Sequence, residues 1–99
     1  MVRMDASILQ LHPTGDLTIY QVEELTKEVS ALLVSAEEII VDLCETDRID
    51  TAGFQLLVML QKSCTAMGKK FEIRGVGDSV ENFMALLGYE WSSEYKGER

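Results

Sequence analysis

Three stretches of the chain repeat their apolar residues at helical spacing, and short β-rich segments separate them. In the first, Val22, Leu25, Val29, Leu32 and Leu33 share one face. Glu23 and Lys27 stand four apart on the other in the favourable order, so the pattern predicts an amphipathic helix over about 20–34. In the second, Thr51 to Met67, the run Leu56-Leu57-Val58-Met59-Leu60 puts apolar side chains all round the helix. Leu57, Leu60, Cys64 and Met67 are expected to serve the core, while Phe54, Val58 and part of Met59 fall toward another side. Either a second layer of the same chain covers that side or a partner does. Gly68 followed by Lys69-Lys70 is a stop signal. In the third, Asp78-Ser79-Val80-Glu81 fits a capping box, Val80, Phe83, Met84 and Leu87 form one stripe, and Gly88 ends it.

Between these lie three strand candidates. Residues 7–12 are closed by the turn cluster Pro13-Thr14-Gly15-Asp16. Glu38 to Leu43 is nearly continuous apolar and β-branched, as expected of a strand with both faces covered in a parallel sheet. Phe71-Glu72-Ile73-Arg74 alternates, and Cys44 to Asp50 reads as a polar loop leaving the buried strand's carboxyl end. The order β, α, β, α, β, α predicts an α/β domain with a mainly parallel sheet and right-handed crossovers. Residues 1–99 form one domain on this reading, with Trp91 as the last anchor and a frayed polar tail over Ser92–Arg99.

Composition narrows the function. Seventeen acids against nine bases give a formal charge of −8, and no basic cluster exceeds Lys69-Lys70. Neutralising phosphates needs Lys and Arg, so no nucleic-acid partner is expected, and an anionic membrane surface is disfavoured likewise. No signal peptide or apolar run of membrane-spanning length is visible, which predicts no direct membrane insertion and a cytoplasmic location. Cys44 and Cys64 are expected to be small core residues, with no CxxC and no histidine at ligand spacing. His12 lies at a strand end with no nucleophile beside it in sequence. Gly75-Val76-Gly77 lacks the third glycine of a dinucleotide fingerprint, and no two carboxylates stand at metal-site spacing. The chain is therefore expected to be no enzyme and to need no cofactor or metal.

Asp50-Thr51-Ala52-Gly53 carries more information. It falls where a buried strand's loop meets a helix, at the carboxyl edge on which open α/β sheets place their sites. Asp50 and Thr51 sit at or beside the N-cap, where unpaired N–H groups attract anions. Gly53 allows close approach of a neighbouring chain to the first turn, at about 1 kcal/mol of helix propensity relative to Ala. Spacing alone leaves two readings open: an ordinary helix cap, or a docking surface that includes Phe54 and Val58.

The run Ile39-Ile40-Val41-Asp42-Leu43, a loop, then Arg48-Ile49-Asp50-Thr51-Ala52-Gly53 resembles the STAS domain of anti-sigma-factor antagonists. That family's motif is a strand ending in Asp-Leu, then Asp-Ser/Thr-x-Gly opening a long helix. The resemblance continues through Gly68 to Ile73, Gly75-Val76 and Val80 to Gly88, and Gly15-Asp16-Leu17-Thr18 looks like the segment before the family's first helix. It implies a mixed, mainly parallel sheet of about four strands with three to four helices. It also implies partner switching: Thr51 aligns with the residue phosphorylated by a cognate kinase, and the unmodified form docks on a kinase-like anti-sigma factor or similar regulator. Asp16, Asp50, Thr51, Ala52, Gly53, Phe54 and Val58 would then form the partner-binding surface. Ala52 stands where many antagonists carry a second Ser. Asp-Thr-small-Gly, with a helix ending in Gly-Lys-Lys, also looks like STAS subunits bound to lipid-transport ABC ATPases, and Asp-Thr-Ala-Gly resembles chemotaxis-associated STAS proteins.

Overall fold

The computed structural model describes residues 2–87; Gly88, Trp91 and the tail lie outside them. Nine elements follow in chain order: β1 (Val2–Asp5), β2 (Ile8–Leu11), β3 (Gly15–Leu17), α1 (Ile19–Leu33), β4 (Glu38–Asp42), β5 (Thr46–Ile49), α2 (Thr51–Met67), β6 (Lys70–Arg74) and α3 (Asp78–Leu86). The main sheet runs β1-β2-β4-β6, antiparallel only between β1 and β2, and β3 pairs with β5 in a separate parallel ribbon. The expected mixed, mainly parallel four-stranded sheet is present, with three helices among the described residues.

Alternation along the strands selects the core face. Leu9, Leu11, Ile39, Val41, Phe71 and Ile73 are buried together, and helices α1 and α2 bring Leu25, Val29, Leu56, Leu57, Leu60 and Cys64 to the same cluster. Ile40 points the opposite way and is buried too, as the continuous apolar run requires. Its register neighbours on that second face are Gln10 and Glu72, and Ile8 is the other apolar residue of β2 there. Helix α2 stops where expected: Gly68 takes the left-handed conformation at φ 70°, and Lys69 N–H donates to the Cys64 carbonyl at 2.8 Å.

Several local expectations are corrected. Segments 44–50 and 13–16 are not simply loop and turn, because β5 lies within the first, β3 begins in the second, and the two strands pair with each other. The hairpin β1–β2 adds Val2–Asp5 to the single N-terminal strand candidate of residues 7–12; its Ala6-Ser7 turn places Ala6 at φ +57° without the usual glycine or asparagine. At α3 the N-cap is Gly77 and no side-chain cap bond forms, so Asp78 lies inside the helix rather than capping it. A Thr-x-x-Gln cap occurs instead at α1, where Gln21 Oε1 accepts from the Thr18 N–H at 3.2 Å and its hydroxyl at 2.7 Å. Met67 and Leu87 are exposed, one at the last turn of its helix and the other just past the helix end. Cys44 is exposed as well, since the chain turns out of the sheet after Leu43; Cys64 is fully buried as expected.

Candidate functional site

The motif turn is held by the β3–β5 ribbon. Leu17 and Ile49 are register partners at its end, and the Asp50 N–H donates to the Leu17 carbonyl at 3.3 Å. The chain therefore leaves each ribbon strand directly into a helix, and the N-termini of α1 and α2 meet. Asp50 joins them. Its Oδ1 accepts from the Gly53 N–H at 3.0 Å, and its Oδ2 accepts from the Ile19 N–H at 3.3 Å. One carboxylate thus satisfies an unpaired donor in the first turn of two helices, where both dipoles favour negative charge.

Gly53 explains why that junction is so close. A Cβ there would lie 2.4 Å from the Leu17 carbonyl oxygen and 2.8 Å from Ile49 Cγ1. The neighbour that approaches the first turn is this chain's own ribbon, and Gly53 is buried. Thr51, the first residue of α2, is exposed, and Ala52 is half-buried beside it. Asp16 lies at the rim of the same edge, paired with Arg48 at 2.9 Å, and this contact holds the guanidinium above its ordinary pKa range. Phe54 and Val58 are half-buried against the core, and Phe54 meets Phe83 of α3 edge-on at 6.5 Å between centroids. At Phe54, the side assigned to either a second layer or a partner is met by Phe83 of α3.

A different apolar surface borders Thr51. Helices α1 and α2 leave a groove of about 700 Å³ lined by Ile19, Val22, Ala52, Leu56 and Met59, with Gln55, Glu23, Thr26 and Lys27 at its edges. Ile19 is 60% and Met59 39% exposed, and Tyr20, 85% exposed, lies on another side of α1 with Gln21, Glu24 and Glu28. The sequence reading missed Ile19 and Tyr20. The available signal was two large apolar residues opening α1 ahead of the Val22–Leu33 stripe.

A second set of polar side chains meets at the same carboxyl edge of the sheet. His12 follows β2, and Cys44 follows β4, which ends in Asp42. His12 Nε2 lies 3.7 Å from Cys44 Sγ and 3.3 Å from Glu45 Oε1, and Asp42 Oδ1 accepts from the Cys44 N–H at 3.0 Å. The hydrogen bond to Asp42 first, and then the charges of Asp42 and Glu45, push the Cys44 thiol above its ordinary pKa. His12 is remote in sequence from Asp42, Cys44 and Glu45, so spacing could not reveal the cluster.

The fold recurs among solved structures. A putative anti-sigma factor antagonist from Thermotoga maritima matches with TM-score 0.85 at 18% identity, over 100% of this chain and 86% of that one. The Bacillus cell fate determinant SpoIIAA in its phosphorylated form matches with TM-score 0.81 at 13% identity, over 100% and 90%. A sulfate transporter family protein from Wolinella succinogenes matches with TM-score 0.75 at 16% identity, over 94% and 79%. Likeness at such identities establishes the fold, and the family follows from the sequence itself. Residues 1–90 match the family model described as "Mlab, STAS domain", and the chain belongs to the STAS-domain family.

Proposed function

We propose that this chain is a non-enzymatic, protein-binding signalling module that acts by partner switching, with Thr51 as its phosphorylation site. The observation that carries the reading is the position of Thr51: exposed, first in α2, and next to the α1–α2 groove. A docked regulator, of the anti-sigma-factor or serine/threonine-kinase class or a chemotaxis counterpart, would cover the groove and the threonine together. SpoIIAA, which shares this fold, has been solved in unphosphorylated and phosphorylated forms, which supports a reading controlled by phosphorylation.

A phosphate adds about −1.5 to −2 charges and three acceptor oxygens. At Thr51 the converging helix N-termini soften its local cost, so the added charge acts mainly on whatever is docked. The expected outcome is that Thr51→Glu weakens regulator binding while Thr51→Ala retains it, read by calorimetric titration with the partner purified from the native host. Equal affinities would refute the switch.

A second reading has its own support: a constitutive regulatory subunit of a lipid-transport ABC ATPase complex. Ala52 in place of a second Ser and the helix end at Gly68-Lys69-Lys70 favour it, and the fold also occurs in a transporter-family protein. Affinity purification with mass spectrometry separates the two. A kinase or sigma-factor regulator with phosphorylated Thr51 supports the first, and an ATPase with unmodified Thr51 supports the second.

A further inference from the structure

We infer that His12, Asp42 and Cys44 form a binding site for a zinc-class divalent cation, with Glu45 as the adjoining carboxylate. One nitrogen, one sulfur and one carboxylate oxygen from these three residues all lie within 4.8 Å of one another. Zinc bonds of about 2.0–2.3 Å to nitrogen, oxygen and sulfur set tetrahedral ligand–ligand edges of about 3.3–3.7 Å. The His12 Nε2 to Cys44 Sγ separation of 3.7 Å falls on those edges, and Glu45 Oε1 lies 3.3 Å from the same nitrogen. A mixed imidazole, thiolate and carboxylate set suits zinc and its spectroscopic substitute cobalt(II). Magnesium or calcium would call for oxygen ligands throughout.

The backbone holds the two loops together around the cluster. Thr46 Oγ1 donates to the Pro13 carbonyl at 2.9 Å, and the Gly15 N–H donates to the Glu45 carbonyl at 2.9 Å. These bonds tie the segment after His12 to the segment after Cys44. From the third strand, Gly75 takes φ +66° and packs so closely that a Cβ would lie 2.8 Å from both Asp42 Oδ1 and Cys44 Cβ. The ligands thus stand on a fixed frame drawn from β2, β4 and the turn after β6. Nearby charge is two carboxylates, Asp42 and Glu45, with Arg74 engaged by Glu72 at 2.6 Å. On a chain of net charge −8, a cation at this point relieves repulsion between the acids. Binding releases the Cys44 proton to solvent as the metal–sulfur bond forms, and no electrons are exchanged.

This site departs from the expectation of no metal, because His12 and Cys44 are 32 residues apart and meet only in the fold. The test is titration of tag-free, chelator-treated, reduced protein with cobalt(II), followed by competition with zinc. The expected result is saturation at one equivalent per chain. A thiolate-to-cobalt charge-transfer band should appear with visible bands of tetrahedral strength, and zinc should abolish both. Cys44→Ser should lose the charge-transfer band although Cys64 remains, and His12→Gln should weaken binding by at least about tenfold. Both positions lie at the surface, and circular dichroism checks that the variants are folded. Weak binding without saturation, or a band that survives Cys44→Ser, would overturn the assignment and leave a hydrogen-bonded cluster on an acidic surface.

Discussion

The double cap at Asp50 makes a quantitative demand on stability. Replacing Asp50 by Ala removes the acceptor for Gly53 N–H and, separately, the acceptor for Ile19 N–H. Loss of an N-cap costs about 0.5–2 kcal/mol, typically about 1. The second bond is near the surface, where water can replace the lost oxygen, so it contributes at the lower end of the net range, about 0.5–1 kcal/mol. Asp50→Ala should therefore cost about 2 kcal/mol. In a chain of this size that lowers the melting temperature by about 8–16 °C. At a urea m-value of about 2 kcal/mol/M it shifts the midpoint by about 1 M. Asp50→Asn separates the two bonds. Asparagine caps as well as aspartate but offers one acceptor oxygen, so it keeps the Gly53 bond and loses about 0.5–1 kcal/mol. Asp78→Ala, inside the first turn of α3 with no cap bond, is the control and should lose only the helix-dipole contribution of about 0.3–1 kcal/mol. Urea denaturation followed by far-ultraviolet circular dichroism reads all three. If Asp50→Ala lost less than about 0.5 kcal/mol, or Asp50→Asn lost as much as Asp50→Ala, one carboxylate would not be holding two helices.

Three further outcomes follow from the same geometry. Thr51→Glu should leave stability within about 0.5 kcal/mol of wild type, because charge at a helix start offsets its proximity to Asp50; a larger loss in the same urea assay would turn weakened partner binding into mere unfolding. Gly53→Ala should destabilise by about 1–3 kcal/mol through overpacking against the Leu17 carbonyl, despite a propensity gain of about 1 kcal/mol, whereas Gly77→Ala, with nothing within 4 Å of the added Cβ, should cost a few tenths. Native protein should expose one thiol to Ellman's reagent and unfolded protein two, since Cys44 is exposed and Cys64 buried. Burial pushes the Cys64 thiol upward, so its contribution to stability is complete below the unfolded-state pKa and is lost as alkaline pH rises through the folded-state value; Cys64→Ala should flatten that decline.

Helices and central strands were legible because their patterns repeat over many residues. The run Val22–Leu33, the β-branched Ile39-Ile40-Val41 and the stop at Gly68 all occur where periodicity and turn chemistry place them. The short ribbon was illegible for a physical reason. Thr46-Asp47-Arg48-Ile49 and Gly15-Asp16-Leu17 bury only Thr46, Ile49 and Leu17, too few positions to establish a period. The β1–β2 hairpin hid because Ala6 adopts a positive φ that a sequence normally advertises with glycine or asparagine. At the motif, Asp50 as a cap was readable from its type and position, but its second bond to Ile19 depends on the ribbon that was not. The stripe of Phe54 and Val58 was visible, but that Phe54 would meet Phe83 depends on where α3 packs and not on α2's own residues.

The ribbon and the double cap together constrain how a switch at Thr51 would operate. A phosphate that acts by melting its own helix must overcome the Asp50 bonds, the Leu17–Asp50 contact and the close packing at Gly53. It would also have to work against the dipole, which favours the negative charge it brings. Reshaping this corner therefore costs more than repelling whatever lies above it. Fixed geometry with variable charge is the more economical arrangement. On the proposed function, the apolar groove would supply attraction that phosphorylation does not alter, and Thr51, next to Ala52 of its lining, would supply a term that phosphorylation reverses. Affinity in the unmodified state should then depend mostly on Ile19 and Met59, and discrimination between the two states mostly on Thr51.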